Sequence, residues 1–228
     1  MSAGRAAIAL EFEPFSLSGN VYGTLLNHRS ALVEFGPKVA EPPYNAAPRA
    51  PVLYIKPRNT LARCGDAVEI PAGVTELEVG ACLGVIIGRT ACHVPVADAL
   101  DHVAGYLIVD DVSVAHDVFY RPSIRLKARD GFCPLGEAVA RDAVANPDLL
   151  TIRTMVDGVL VQTSSTADLV RSVARLVADV TEFMTLQPGD VLGVGSARPS
   201  PRVRAGQSVD IAVEGFATLT NRFVAGAA

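Results

Sequence analysis

The densest chemistry in the chain lies between Ile108 and Glu137. The apolar run Tyr106-Leu107-Ile108-Val109 ends in two adjacent carboxylates, Asp110 and Asp111, and Arg121, Arg125, Lys127 and Arg129 follow before a turn at Asp130-Gly131. Arg125, Lys127 and Arg129 stand at i, i+2 and i+4, so an extended strand presents all three on one face. In a chain that is 50% apolar, three cations on one face are not core. They either guard a solvated strand edge, a common use of Lys and Arg, or converge on an anion. His116-Asp117, just past the carboxylates, has the makings of a general base because imidazole titrates near neutrality.

The elements that must position these residues are mostly strands. Val21–Leu26, Val52–Ile55, the β-branched run Leu77–Gly88 and Tyr106–Val109 read as strands, with a short helix through Ala97–His102. Pro37, Pro42, Pro43, Pro48 and Pro51 exclude helix and central strand from residues 36–51, so this stretch is expected to be a loosely ordered surface loop and a candidate lid. Residues 1–20 are weakly patterned, an arm or an edge strand. Leu150–Val156 and Val159–Thr163 flank Asp157-Gly158, the signature of a type I′ hairpin. Ser165 can cap a helix in which Leu169, Val173, Leu176, Val180 and Phe183 recur at helical spacing, and Pro188-Gly189 closes it. That spacing predicts a helix of about five turns over 166–184. Asp190–Val194, Ser208–Val213 and Phe216–Leu219 are the closing strands. The fold class is α+β, mainly β, with one long helix packed on sheet.

With 228 residues the chain can bury a full core. Its net charge of −4 leaves no basic footprint for nucleic acid, and no apolar run has the ~20 residues of a membrane-spanning helix. The short apolar run after Arg5 is not read as a signal peptide. Cys64, Cys82, Cys92 and Cys133 show no Cys-x-x-Cys spacing and read as free thiols of a reducing cytoplasm. His93 beside Cys92 reads as loop chemistry, and His102 as a cation at a helix end. There is no Gly-x-Ser-x-Gly nucleophile motif, and Gly193-Val194-Gly195 lacks the remainder of a dinucleotide fingerprint.

Taken in order, a series of landmarks resembles the fumarylacetoacetate hydrolase superfamily: Lys56-Pro57, Val85-Ile86-Ile87-Gly88, Ala104-Gly105-Tyr106, Asp111-Val112-Ser113, Lys127, Phe132-x-Pro134-x-Gly136, Pro188-Gly189-Asp190, Gly195-Ser196, Glu214-Gly215, Leu219 and Asn221. The resemblance implies a β-sandwich roll over residues 52–228, preceded by an arm and proline-rich loop over 1–51. Through Leu26-Asn27-His28-Arg29-Ser30, Tyr54–Thr60 and the Phe119–Glu137 segment it is similar to the first half of members in which two such domains are fused in tandem. It therefore implies a separate subunit that partners a homologous second half, as a homodimer alone and a hetero-oligomer with that partner. The implied activity is decarboxylation and isomerisation of 5-carboxymethyl-2-oxo-hex-3-ene-1,7-dioate and 2-hydroxyhepta-2,4-diene-1,7-dioate, small di- and tricarboxylates formed in the breakdown of 4-hydroxyphenylacetate.

The departures are informative. The family holds Mg²⁺ or Mn²⁺ through a Glu-x-Glu pair and an Asp; here the Glu positions are Gly80 and Cys82, and only Asp111 survives. Glu76 and Glu78 lie close by, but reaching them requires a register shift. Hard cations take carboxylate oxygen, so no metal is expected in this chain, and Lys127 is expected to serve as the counter-ion of Asp111. The family's substrate-binding Arg and His fall at Ala115 and Ala31. The resemblance leaves Lys127 and Asp111 as catalytic candidates and Gly195 and Ser196 as substrate contacts; the residue pattern itself adds His116 as a catalytic candidate and Arg125 and Arg129 as further substrate contacts. A structural, metal-free partner of an active homologous chain, or another 2-oxoacid-cleaving member of the family, is the alternative. Glu at positions 80 and 82 is expected to create Mg²⁺ affinity.

Overall fold

The computed structural model describes residues 11–12, 15–116 and 123–226. Asp117 and Arg121 lie outside the described residues.

The molecule is built on a curled mixed sheet. Its strand order is Val52–Lys56, Val21–Leu25, Val191–Gly193, Ala81–Ile87, Val103–Asp110, Cys133–Leu135 and Leu61–Arg63, with Val139–Ala140 also paired to Val103–Asp110. Alternation sorts the side chains of the central strands. Leu83, Val85, Ile87 and Tyr106 face the layer that holds the Val173–Thr181 helix, while Cys82, Ile86, Leu107 and Val109 face the other way. That second face closes on itself, since Leu61 of one edge strand and Val21 from near the opposite edge share one buried cluster.

A second sheet runs Val159–Ser165, Thr151–Val156, Ser208–Val213, Leu219–Ala225, Ala67–Ile70. It packs its Ile152, Val209, Ile211 and Phe223 against Ile108 and Phe132. A small third sheet sets Leu77–Glu78 between Ser113–Val114 and Arg202–Val203. The β-rich α+β class follows from this. The Asp157-Gly158 hairpin forms with φ of 50° and 78° at its two turn residues, as a type I′ turn requires.

Four local expectations are corrected. The anticipated 166–184 helix is divided. Ser165 caps only a 3₁₀ turn at Thr166–Asp168, and Ser172 caps the true helix, Val173–Thr181. Between them, Asn27 breaks the helix by accepting from Val170 N at 2.8 Å through its carbonyl and from Arg171 N at 3.0 Å through its side chain. A long-range side-chain partner outcompetes the local helical bond there. Leu169 remains buried, but Phe183, counted in the apolar stripe, is 61% exposed. The run Leu77–Gly88 is two strands, Leu77–Glu78 and Ala81–Ile87, because the chain kinks at Val79-Gly80 into a different sheet. The proline stretch is exposed for much of its length, yet it opens with a 3₁₀ helix, Gly36–Ala40, entered through Pro37; proline is compatible with a first helical turn. Ala97–His102 is also 3₁₀, spanning Val96–His102.

Asn27 also donates to Val194 O at 2.9 Å and to Arg171 O at 3.2 Å, so one buried amide ties three segments. Asn27→Ala is expected to lower unfolding stability by roughly 2–4 kcal/mol, since it strands buried backbone groups. Urea denaturation, read as a lower midpoint at constant slope, checks this.

Candidate active site

One end of the curled sheet gathers the charged residues. Tyr54 and Lys56 alternate on the Val52–Lys56 strand and so point the same way. Asp111 follows directly on Val103–Asp110. Lys127 is not on a strand. Ile124–Lys127 is a single helical turn in which Arg125 is exposed and Lys127 is buried. The i, i+2, i+4 face is therefore absent, and Arg129 folds back to donate from Nε to Arg125 O at 2.9 Å. The reason is electrostatic: Lys127 turns inward to reach a buried carboxylate, and this overrides the alternation of the local sequence.

That carboxylate is Asp111, 7% exposed. Lys127 Nζ donates to its Oδ2 at 2.7 Å, and the Tyr54 hydroxyl donates to the same oxygen. Lys56 Nζ lies 2.8 Å from Oδ1. The Lys56 ammonium aims its three protons at Val112 O, Lys127 O and Phe132 O, between 2.6 and 2.9 Å. Its contact with Oδ1 is thus an ion pair rather than a directed hydrogen bond. Burial opposes ionisation of Asp111, but the charges of Lys127 and Lys56 overcome it and hold the carboxyl well below the usual range. Burial pulls Lys127 down, and Asp111 partly restores it. Burial, with the Asp111 charge beside it, raises the Tyr54 phenol well above its ordinary value. The Lys127 ammonium also sits 4.4 Å over the Tyr54 ring, a favourable cation–π placement. Gly23 makes room for that ring, since a Cβ there would lie 2.0 Å from it.

Gly80 is held between the two carboxylates. Its N–H donates to Asp110 Oδ1 at 3.0 Å, and its carbonyl accepts from Asp111 N at 3.0 Å. A Cβ at Gly80 would come within 2.7 Å of the Asp111 carbonyl oxygen. Cys82 is buried in an apolar cluster with Val21, Ile86 and Val109, and burial pushes its thiol pKa up. The Mg²⁺ or Mn²⁺ of the family does not fit this donor set: one position has no side chain and the second offers a neutral buried thiol, which leaves Asp111 as the one carboxylate of the three. The expectation that Glu at 80 and 82 creates Mg²⁺ affinity is revised accordingly, because Gly80→Glu collides with backbone and Cys82→Glu buries a charge among apolar side chains.

A cavity of about 380 Å³ opens above Asp111 and Tyr54. His116 and Ser196 line it, and so do Ala31 and Ala115, the positions at which the resemblance places the family's His and Arg. His116 Nδ1 meets Val114 O at 2.9 Å. A carbonyl only accepts, so Nδ1 carries the proton and Nε2 is the basic nitrogen of the neutral ring. Gly195, at φ 102°, lies where a Cβ would meet Thr24 O at 3.1 Å, and brings Ser196 to the wall. Arg125 and Arg129 do not line the cavity. Its wall cations are Arg198 and Arg202, which the sequence reading missed, together with Lys38. Arg198 and Arg202 are held by Glu78, a residue 120 or more positions away along the chain, so no local pattern reveals them. Tyr54 and Lys56 were legible in principle: two polar groups at i, i+2 on a short apolar strand share a face. Cys92, His93, His102 and His28 are not part of the cavity lining. His28 caps the Arg29–Phe35 helix by accepting from Ser30 N.

This curled roll, with its charged cavity at the end of the sheet, places the chain among known proteins. It belongs to the fumarylacetoacetate hydrolase family: residues 20–224 match the family described as fumarylacetoacetate (FAA) hydrolase C-terminal. It is 40% identical over 208 residues to the 4-hydroxyphenylacetate degradation bifunctional isomerase/decarboxylase of Escherichia coli, covering 91% of this chain and 48% of that protein. The chain thus spans about half the length of the bifunctional curated relatives it matches. Among solved structures it is similar to 5-carboxymethyl-2-hydroxymuconate delta-isomerase from Mycobacterium smegmatis, with a TM-score of 0.78, 31% identity and coverage of 93% and 81% of the two chains. It is also similar to fumarylpyruvate hydrolase from Pseudomonas aeruginosa, in complex with Mn²⁺ and pyruvate, with a TM-score of 0.82, 25% identity and coverage of 98% of both chains. No helix among the described residues is long and apolar enough to cross a membrane.

Asp110, 1% exposed, yields a pH prediction. Burial raises its carboxyl to about 7, although the Gly80 N–H favours the ionised form. Unfolded, it titrates near ~3.9. Between these values the native state binds more protons than the unfolded state, so this group's contribution to stability falls as pH rises through the window and levels off above it. Asp111 has the opposite sign: its depressed pKa contributes stability at neutral pH that is lost only as the pH falls below the carboxylate range. Asp110→Asn keeps the acceptor for Gly80. It is expected to remove roughly 2–3 kcal/mol of the stability loss between pH 5 and 8, read from denaturant midpoints at both pH values.

Proposed function

We propose that this chain is the isomerase half of a two-part isomerase/decarboxylase, and that its cavity tautomerises 2-hydroxyhepta-2,4-diene-1,7-dioate. The observation that carries the reading is the Asp111–Lys56–Lys127–Tyr54 cluster under a cavity lined by a basic imidazole. Loss of CO₂ from the unsaturated 2-oxo tricarboxylate precursor calls for a strong electron sink, which in this family is a divalent cation, and the donor set here does not fit one. That step belongs to the homologous second half. Tautomerisation needs only proton transfer: the 2-hydroxyl loses its proton, the electron pair moves through the diene, and C5 gains a proton. His116 is the base for the hydroxyl proton. The positive charge of Lys56 and Lys127 beneath the cavity floor of Asp111 and Tyr54 favours the oxygen charge that develops, an effect worth most in a water-poor site. The Gly195-Ser196 segment receives the adjacent carboxylate.

The chain matches about half the length of its bifunctional relatives, and the reading pairs it with a homologous second half in a hetero-oligomer. The edge strand Val159–Ser165, paired on one side with Thr151–Val156 and with no strand on the other among the described residues, exposes Val159, Leu160 and Val161, which supports apolar docking.

The test is isomerisation of 2-hydroxyhepta-2,4-diene-1,7-dioate by the purified chain in excess EDTA. Turnover is expected to persist, and His116→Gln to lower kcat by roughly 10²–10⁴-fold. If the chain neither isomerises alone nor raises the activity of an added second half beyond that half's own rate, it is a structural partner instead.

A further inference from the structure

We propose that Arg198 and Arg202, held apart by Glu78, form a carboxylate clamp that makes this cavity selective for diacids over monoacids. The proposal rests on the reading of the cavity as a site for an unsaturated dicarboxylate, and it names the side chains that take the carboxylate remote from the reacting centre.

Glu78 is 5% exposed and occupies the central strand of the small sheet, in register opposite Arg202. Its Oε2 accepts from Arg198 Nη1 at 3.0 Å, and its Oε1 lies 3.1 Å from Arg202 Nη2. One buried carboxylate therefore orients two guanidinium groups. The second terminal nitrogen of Arg202 is taken by Glu76 Oε1 at 3.1 Å, which fixes the fork. The backbone N–H of Arg198 is anchored on Ser30 Oγ at 2.8 Å. Each guanidinium has five N–H donors, and these ion pairs occupy only one donor of Arg198 and two of Arg202.

Charge counting points to a dianion. Arg198, Arg202 and Arg204, against Glu76 and Glu78, sum to one positive charge on the wall, and Lys56, Lys127 and Asp111 sum to one positive charge at the base. Glu34 and Lys38, also on the lining, cancel each other. Leu25, Leu26, Ala31, Phe35 and Ala115 supply apolar surface in the same cavity, suited to a carbon chain. A ligand with a carboxylate at each end and hydrocarbon between satisfies all three regions, whereas a monoacid leaves one cationic centre without an anion. Arg recognises carboxylate through parallel N–H donors, which makes it stronger and more selective than a point charge.

The experiment is calorimetric titration of the full chain with heptanedioate and with heptanoate, at low salt. Wild type is expected to bind the diacid at least about ten-fold more tightly. Arg198→Ala is expected to erase that preference while changing heptanoate affinity by less than about two-fold, and Arg198→Lys to restore part of it. Glu78→Gln, a positioning change, is expected to reduce diacid affinity without removing it. Arg202→Ala, at a more exposed side chain, gives a second variant if Arg198→Ala fails to fold. Equal affinity of wild type for the two acids, no binding of either, or an equal loss for both acids in Arg198→Ala overturns the clamp. Clamp-dependent heptanedioate binding by a chain with no isomerase activity overturns the proposed reaction and leaves the clamp standing. Turnover with a KM unchanged in Arg198→Ala overturns the clamp alone.

Discussion

A single buried carboxylate organises this molecule. Asp111 ionises in an environment that resists charge, and it does so because two ammonium groups and a phenol converge on it. Breaking such a network by removing one partner costs far more than its net worth, because the remaining charges stay buried. The fold accordingly spends three separate elements on it: the Val52–Lys56 strand, the end of Val103–Asp110 and the turn Ile124–Lys127. The Lys56 bonds to Val112, Lys127 and Phe132 carbonyls lock those elements together, so the charge network and the backbone at this end of the sheet are one structure.

The departure from the donor set of the family lies beside this network, at Gly80 and Cys82. Gly80 packs against the Asp111 backbone too closely for a side chain, and Cys82 belongs to the apolar interior of the curled sheet. Lys56 and Lys127, which the chain shares with its family, keep the base of the cavity cationic. Under the proposed function this suits chemistry that moves protons and needs no further electron sink.

Much of the architecture was legible because it is local. The Asp157-Gly158 hairpin, the Ser208–Val213 strand and the apolar central strands follow from turn chemistry and periodicity. The Asp111–Lys127 pairing was also legible, as a charge left without its metal. What misled was local pattern overruled at a distance. Ile124-Arg125-Leu126-Lys127 alternates like a strand but turns once to deliver Lys127. The apolar stripe from Leu169 to Phe183 reads as one helix but is divided by Asn27, about 144 residues away in sequence. Arg198 and Arg202 gain their placement from Glu78 across a sheet that joins three distant segments, and nothing at residues 198–202 announces it. Arg125 and Arg129 drew attention by spacing alone and are turned away from the cavity.

The central claim is that Asp111, paired with two ammonium groups and without carboxylates at positions 80 and 82, holds no divalent cation. The most direct measurement is a Mn²⁺ titration of the purified chain followed by electron paramagnetic resonance, with Asp111→Asn as control. The account predicts no stoichiometric site in wild type, and an Mn²⁺ signal indistinguishable from that of Asp111→Asn. One tightly bound Mn²⁺ per chain that disappears in Asp111→Asn would contradict it.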